Sequence, residues 1–477
     1  MATRFFNTMS RTLEDFVPME SGKVKLYTCG PTVYDFAHIG NFRTYVFEDL
    51  LRRYLEYRGY EVTQVMNITD VEDKTIRKAR EQKIALNQVT EPFIKAFFAD
   101  LKSLNIKPAT YYPRATQHIE RMVEMIRDLL KKGAAYRSED GSIYYDISKF
   151  ADYGQLAHIK VEELQTGVRI DQDEYEKETA ADFALWKAWD ENDGEVYWDQ
   201  YTDLGKGRPG WHIECSAMST EYLGNHFDIH TGGVDNIFPH HQNEIAQSEM
   251  FTGERFVNYW LHSEHLQVEG KKMSKSAGNF YKLRDLLKDW HPLAIRYLLL
   301  STHYRSRLDF TFAGLKAAQE TRESLVNFVR RLLEQEGMQE VEENIVSLVD
   351  ESRDKFVKAL DNDLNMPEAL AVLFSLRRDV NKAMDERDIG RESAQVVLKL
   401  LGEFEEVLAL DIIKDAKVEE DDDLTEEELA MIEERQQAKK ERNFQKADCL
   451  RNQLLERGII LEDTPKGLRW KIDPSKR

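Results

Sequence analysis

The chain has little cysteine: Cys29, Cys215 and Cys449 in 477 residues, too few and too odd in number for a disulfide framework. A small secreted scaffold is thereby excluded, and a reducing compartment fits. Proline, at 11 residues, is too sparse for a low-complexity or collagen-like chain. No run of about 18 uninterrupted apolar residues occurs, which predicts no membrane-spanning helix. The segment 1–22 lacks the basic start and apolar centre of a leader, so the expected location is the cytoplasm. Positive charge is also short, with 66 Lys and Arg against 86 Asp and Glu and a net charge of −20. Nonspecific polyanion binding comes mainly from cations that neutralise phosphates, so any RNA contact in this chain must be local.

What is present is an ordinary globular composition, 42% hydrophobic and 32% charged, long enough for about three domains. Lys23–Gly30 (KVKLYTCG) reads as a strand that ends in a glycine and proline turn. From Phe42 the apolar residues Val46, Phe47, Leu50, Leu51, Tyr54 and Leu55 recur at three and four, and Gly59 supplies a stop, which predicts a helix. Tyr60–Ile68 reads as a second strand. Strand, helix and strand in this order form a βαβ unit with parallel strands and a right-handed crossover. Ligands bind such sheets at the carboxyl ends of the strands, which gathers Cys29, His38, Gly40 and Thr69 at one edge.

Asn225–His230 repeats the arrangement, a strand leading into Gly232 and Gly233. The expected fold is therefore α/β, with a Rossmann-like parallel-sheet catalytic domain in two halves, 1–90 and 208–270. An insertion of mixed helices and short strands, such as Gly141–Ile147, fills 91–207. Beyond a connecting region at 271–312, amphipathic runs such as Leu325–Leu333 and Ala369–Leu376 predict a helical bundle over 313–415. The acidic run Glu419–Glu428 reads as a solvated linker and helix start, with Thr425 and Glu428 as a capping box. The last unit, 424–477, is predicted to hold two short helices around Leu429 and Leu450, then a hairpin of Ile459–Leu461 and Leu468–Ile472. Its cations, Arg469 and Lys471 among them, make it the basic end of an acidic chain. With Trp470 alongside, such a patch suits single-stranded RNA, although a solvated helix face with a core tryptophan is the commoner use of these residues. Cys449 is read as a packing residue.

Two short motifs carry chemistry. His38–Asn41 (HIGN) opens the first helix, where free N–H groups and the helix dipole favour phosphate and a glycine allows close approach. Lys272–Ser276 (KMSKS) places two lysines in a small-residue loop able to fold over a triphosphate. Together and in this order they resemble the signatures of class I aminoacyl-tRNA synthetases. Longer stretches resemble the cysteine-specific members of that family: TCGPTVYDFAHIGN from Thr28, NITDVEDK from Asn67, YPRAT from Tyr112, ADFALWK from Ala181, GKGRPGWHIECSAM from Gly205, TGGVDNIFPHHQNEIAQ from Thr231, and LEDTPKGLRW from Leu461.

The resemblance implies ATP-dependent joining of L-cysteine to its tRNA through a cysteinyl-adenylate, with magnesium accompanying ATP. Lys275, Lys272 and His38 are the expected catalytic residues. His38, Gly40, Asn41, Gly232, Gly233 and Asp235 are expected to join Lys275 in binding ATP. Cys29, Thr69 and Trp211 are expected to line the amino-acid pocket, and Arg469 and Trp470 to meet the anticodon. The family further implies one zinc ion per chain, held by Cys29, Cys215, His240 and Glu244. These residue types suit zinc. Spacing alone would leave the cysteines as inert buried groups, because only His240 and Glu244 are close, at i and i+4. His241, at i+3 from Glu244, competes with His240. His212, Glu214 and His230 are polar neighbours whose catalytic and structural roles the sequence does not separate. Asn41, Asn236 and Gln242 depart from the family pattern without removing a proposed ligand or lysine. Two other readings share many of these features: a cysteine ligase with a small amino-sugar acceptor, and a non-catalytic RNA-binding paralogue. A monomer is expected.

Overall fold

A computed structural model describes residues 2–159, 182–273, 278–337, 340–386, 389–417, 424–464 and 467–472; it describes no side chain for Lys272, Glu426, residues 462–464, Gly467, Arg469 or residues 471–472. Strands β1 (Arg4–Asn7) and β2 (Thr12–Asp15) pair as a hairpin ahead of β3 (Lys23–Thr28). Helix α1 (Ile39–Tyr57) buries Phe42, Val46, Phe47, Leu50, Leu51, Tyr54 and Leu55, the residues whose spacing predicts it. It stops at Gly59, whose φ of +88° a residue with a Cβ adopts only with strain. Strand β4 (Glu61–Met66) then pairs parallel to β3, from Lys23 opposite Glu61 to Thr28 opposite Met66.

Helices α2 (Asp73–Gln82), α3 (Leu86–Ser103) and α4 (Ile119–Lys131) follow. Ile94, Phe97 and Leu101 of α3 share a core with Val24 and Leu26 of β3, so this helix packs with the parallel sheet. Four short strands, β5 (Ala135–Arg137), β6 (Ile143–Tyr145), β7 (Phe183–Ala188) and β8 (Gly207–Pro209), form an antiparallel sheet in the order β5-β6-β7-β8.

The chain then returns through α5 (Trp211–Leu223), β9 (Phe227–Gly233), α6 (Gln242–Thr252) and β10 (Val257–Ser263). The central sheet is parallel throughout, in the order β10-β9-β3-β4. From β3 the chain winds outward to β4 on one side and later to β9 and β10 on the other. The crevice beyond the carboxyl ends of β3 and β9 is thus the topological switch point where such sheets take ligands. Gly232 and Gly233 are the last two residues of β9 itself, so the strand runs further than the sequence pattern predicts.

A small sheet of β11 (Leu266–Val268), β12 (Lys271–Lys272) and β13 (Leu308–Phe310) connects to helices Pro292–Leu300, Phe312–Leu333, Glu343–Asp361, Met366–Glu386 and Arg391–Leu408. Their apolar faces join the core beneath α1. At that seam the fully buried Arg296 donates to Asp49 (2.5 Å), Leu104 O and Leu408 O, tying three parts of the chain together.

The C-terminal unit has its own small core of Leu424, Ile432, Leu454, Ile459 and Leu461. Helices Glu426–Lys440 and Phe444–Glu456 and the hairpin Ile459–Thr464 with Gly467–Ile472 agree with the sequence reading, and Thr425 and Glu428 form the predicted capping box. Cys449 differs: it is exposed, because Ala447, Leu450 and Leu454 occupy the buried face of its helix. Among the described residues no helix is long and apolar enough to cross a membrane.

Candidate active site and metal centre

Cys29 follows directly on β3, where its N–H donates to Thr231 O of β9. Cys215 lies on α5, and His240 and Glu244 lie on the turn and helix that follow β9. The ligand atoms of Cys29, Cys215, His240 and Glu244 all lie within 4.8 Å of one another. A second quartet, Cys29, His230, His241 and Glu244, meets the same limit. Glu244 belongs to both. Its Oε2 accepts from His230 Nε2 at 2.9 Å, while Oε1 lies 3.1 Å from His240 Nε2 and 4.0 Å from His241 Nε2. Oε1 is buried with no hydrogen bond, a costly state for a carboxylate oxygen unless a cation completes it. Two thiols, an imidazole and a carboxylate around such an atom fit a tetrahedral metal ion.

The imidazoles already have the protonation state that a metal takes, whereas the thiols must give up their protons on binding it. Hydrogen bonding with Cys215 and burial hold the Cys29 thiol well above its usual range. Cys215 is also raised: burial and the Glu244 charge outweigh the hydrogen bond with Cys29, which acts to lower it. Burial, with the neighbouring imidazoles, drives His240 and His241 well below theirs. Neutral imidazoles are ready ligands.

More histidines stand behind the quartet than the motifs identify. His240 stacks on Trp211 with ring centroids 3.8 Å apart, and its Nδ1 meets His212 Nδ1 at 2.9 Å. His241 Nε2 lies 3.3 Å from Cys29 Sγ, and its Nδ1 lies 2.8 Å from His262 Nε2. His262 in turn meets Thr8 of the β1–β2 hairpin at 2.8 Å. Neither His262 nor Glu48 is a candidate on sequence grounds. Glu48, fully buried on α1, accepts from Thr231 Oγ1 at 2.9 Å, and burial raises its carboxyl to about 8 despite that bond. The one available signal is crowding: His212, His226, His230, His240, His241, His262 and His265 are seven of the chain's twelve histidines.

The residues expected to line the amino-acid pocket lie beside the quartet. Gly30 N donates to Asn67 Oδ1 at 2.8 Å, and Asn67 Nδ2 donates to Thr69 Oγ1 at 3.1 Å. A Cβ on Gly30 would meet Asn67 O at 1.7 Å, so only glycine permits this approach. The Glu214 carboxyl of α5 lies close to the Thr69 side chain, and burial raises it well above the usual range.

The two signature motifs also converge. His38 caps α1: its Nδ1 accepts from Asn41 N at 3.3 Å, and Asn41 Oδ1 accepts from His38 N at 3.1 Å. Asn41 thus closes a capping box. His38 pairs through its backbone with Lys282, its ring meets Phe280 edge-on, and a Cβ on Gly40 would sit 3.1 Å from Met273 Cε. The first motif therefore lies against Met273 of KMSKS and against Phe280 and Lys282, which follow the motif. Lys275 and the side chain of Lys272 lie outside the described residues. Gly232 and Gly233 end β9; a Cβ on Gly232 would meet His241 at 2.8 Å. Asp235 is largely exposed and pairs with His265 Nε2 at 3.4 Å, a partner that sequence reading missed. Trp470 packs on the separate C-terminal core, and the side chain of Arg469 lies outside the described residues.

This sheet, its switch-point crevice and the paired motifs are those of a class I aminoacyl-tRNA synthetase, and comparison with known proteins agrees. Residues 15–320 match the family "tRNA synthetases class I (C) catalytic domain", 355–412 a DALR domain, and 421–470 a cysteinyl-tRNA ligase anticodon binding domain. The cysteine–tRNA ligase of Brachyspira hyodysenteriae is 50% identical over 98% of both chains. That of Protochlamydia amoebophila is 48% identical over 98% of this chain and 97% of its own. Among solved structures, Mycobacterium tuberculosis methionyl-tRNA synthetase with methionyl-adenylate superposes with a TM-score of 0.60 at 16% identity, covering 83% of this chain and 90% of that one. A putative arginyl-tRNA synthetase from Campylobacter jejuni gives 0.54 at 13% identity, over 85% and 94%. At such identities these two speak for the fold alone. The chain belongs to the cysteine–tRNA ligase family.

Proposed function

We propose that the chain activates L-cysteine with ATP and transfers it to the 3′ end of its cognate tRNA. The observation that carries the reading is the quartet of half-buried Cys29 with buried Cys215, His240 and Glu244, gathered around a carboxylate oxygen with no hydrogen bond. Zinc, one ion per chain, fits this donor set. When bound it supplies a centre that lowers a thiol's pKa and favours sulfur over a hydroxyl. A site that rewards one ligand in this way can discriminate by about 10⁴ or more, which makes editing of serine unnecessary.

The remaining steps belong to the chain's own residues. Thr69 and Trp211 line the pocket beside Cys29. His38 and Gly40 receive the triphosphate at the start of α1, and Asn41 holds that cap. Gly232, Gly233 and Asp235 take the adenosine at the end of β9. Lys275, assisted by Lys272, stabilises charge as the cysteine carboxylate attacks the α-phosphate and pyrophosphate, with its magnesium, departs. A terminal ribose hydroxyl of the tRNA then takes the cysteinyl group. Positioning and charge stabilisation suffice, so no protein nucleophile is assigned. In this reading 1–90 with 208–270 forms the catalytic domain, 91–207 the insertion, 271–312 the KMSKS and stem-contact region, 313–415 the tRNA-binding bundle, and 424–477 the anticodon unit with Arg469 and Trp470. The matched C-terminal unit favours tRNA over a small amino-sugar acceptor. The enzyme is expected to act as a cytoplasmic monomer.

The test is ATP–pyrophosphate exchange on zinc-loaded protein, followed by charging of a cysteine tRNA transcript. Exchange that depends on cysteine, then charging, is expected. No cysteine-dependent exchange would refute the reading, and exchange without charging would redirect it to a small acceptor.

A further inference from the structure

The amino-acid pocket holds a buried acid without a partner for all of its oxygens. Thr69 Oγ1 accepts from Asn67 Nδ2 at 3.1 Å, which leaves the hydroxyl proton to be donated, and the Glu214 carboxyl lies close by. Glu214 is 1% exposed, and its Oε2 has no hydrogen bond. The neighbouring charges are committed elsewhere. Asp70 accepts from Thr116 N and Oγ1 at 2.9 and 2.6 Å, and Glu72 accepts from Lys74 N at 2.7 Å. Arg208, the cation whose field reaches Glu214, gives Nε to Asp193 and Nη2 to Asp73. Among the described residues no cation forms an ion pair with Glu214. Buried carboxyl oxygens are satisfied in folded proteins, so an orphan beside a binding pocket points to a ligand that completes it.

We infer that Glu214 receives the α-ammonium group of the amino-acid substrate, with Thr69 beside it. The inference rests on the cysteine-activating reading above. The substrate brings three polar groups. Its thiol belongs with the quartet, and its carboxylate must reach the α-phosphate, so the ammonium is the group left to place. An ammonium offers three donors and a full charge, the complement of a carboxyl oxygen with no partner. The position in sequence suits this division: Glu214 lies three residues after Trp211 and one before Cys215, so α5 presents groups to both the pocket and the quartet.

The test compares wild type, Glu214→Gln and Glu214→Asp by cysteine-dependent ATP–pyrophosphate exchange, with 3-mercaptopropionate as competitor. This competitor is cysteine without its amino group. Glu214→Gln keeps the size of the side chain but removes the acid that can ionise beside an ammonium. The KM for cysteine should rise about 10- to 100-fold, as for loss of a charged hydrogen bond, with the KM for ATP and the zinc content unchanged. Wild type should prefer cysteine to 3-mercaptopropionate by a similar factor, and that preference should largely vanish in Glu214→Gln. Glu214→Asp, which retains the acid, should keep it. An unchanged cysteine KM in Glu214→Gln would overturn the inference. So would a raised KM with the preference intact, since a purely structural role raises KM without erasing that preference, and so would a preference lost equally in Glu214→Asp. Wild type without cysteine-dependent exchange would instead remove the reading on which the inference rests.

Discussion

At the scale of single residues, the quartet and its histidine neighbours decide what the site can select. Both His240 and His241 lie within reach of Glu244 Oε1, and the two quartets share Cys29 and Glu244. Only the first quartet uses Cys215, which gives it two thiolates and hence the stronger hold on zinc. His240→Ala should therefore remove most of the metal measured by mass spectrometry. His241→Ala should keep it, with affinity weakened about 10- to 100-fold, as expected for a group that supports a ligand. The opposite ranking would make the second quartet the metal site. A neighbouring residue tests the helix start: Asn41→Ala removes half of the capping box, one hydrogen bond from His38 N, and should cost about 0.5–1.5 kcal/mol in denaturant unfolding. An unchanged midpoint would show that the cap contributes nothing. The sequence made HIGN and KMSKS visible because each is local. It could not make the quartet visible by spacing, since Cys29 and Glu244 meet only through the pairing of β3 with β9. Resemblance to the family supplied the ligands. Neither spacing nor resemblance pointed to His262, Glu48 or the His265 partner of Asp235, whose roles come from burial and contact.

At the scale of elements, α1 joins the site to the bundle, because it opens with the first motif and shares a core with the bundle helices. Its Asp49 is the anchor. Burial acts to raise that carboxyl, but Arg296 and Arg53 outweigh burial and hold it below its usual range. A depressed carboxyl contributes stability that is present above the unfolded-state value of about 3.9 and is lost as the pH falls through the folded one. Unfolding midpoints should therefore drop as the pH is lowered below about 4, and this component should be missing in Asp49→Asn. A pH profile identical in the variant would contradict it. Removing the partner is harsher: Arg296→Met leaves Asp49 buried without its closest cation and should cost about 3–5 kcal/mol. A loss under about 1 kcal/mol would show that the seam does not depend on the pair. Apolar periodicity made α1 legible, as did the β3 and β4 runs on either side. The sequence pattern ends β9 too early because Gly232 and Gly233 read as a turn, whereas pairing with His262 and Ser263 keeps them in the sheet.

At the scale of the whole molecule, the charge of −20 and the three family matches meet at the C-terminus. That unit closes on its own core of Leu424, Ile432, Leu454, Ile459 and Leu461, apart from the core that α1 shares with the bundle. Deleting 424–477 should leave cysteine-dependent ATP–pyrophosphate exchange intact while charging of tRNA is largely lost. Equal loss of both would show that the unit supports the catalytic fold instead. Cysteine selection is the central claim, and serine is its sharpest challenge. The direct measurement is the ratio of kcat/KM for cysteine and serine in the exchange reaction, with zinc counted in the same preparation. About one zinc per chain and a preference for cysteine near 10⁴ or more are predicted, with both lost on chelation and regained on reloading. Metal-free protein that activates cysteine with undiminished rate and selectivity would contradict the assignment of Cys29, Cys215, His240 and Glu244.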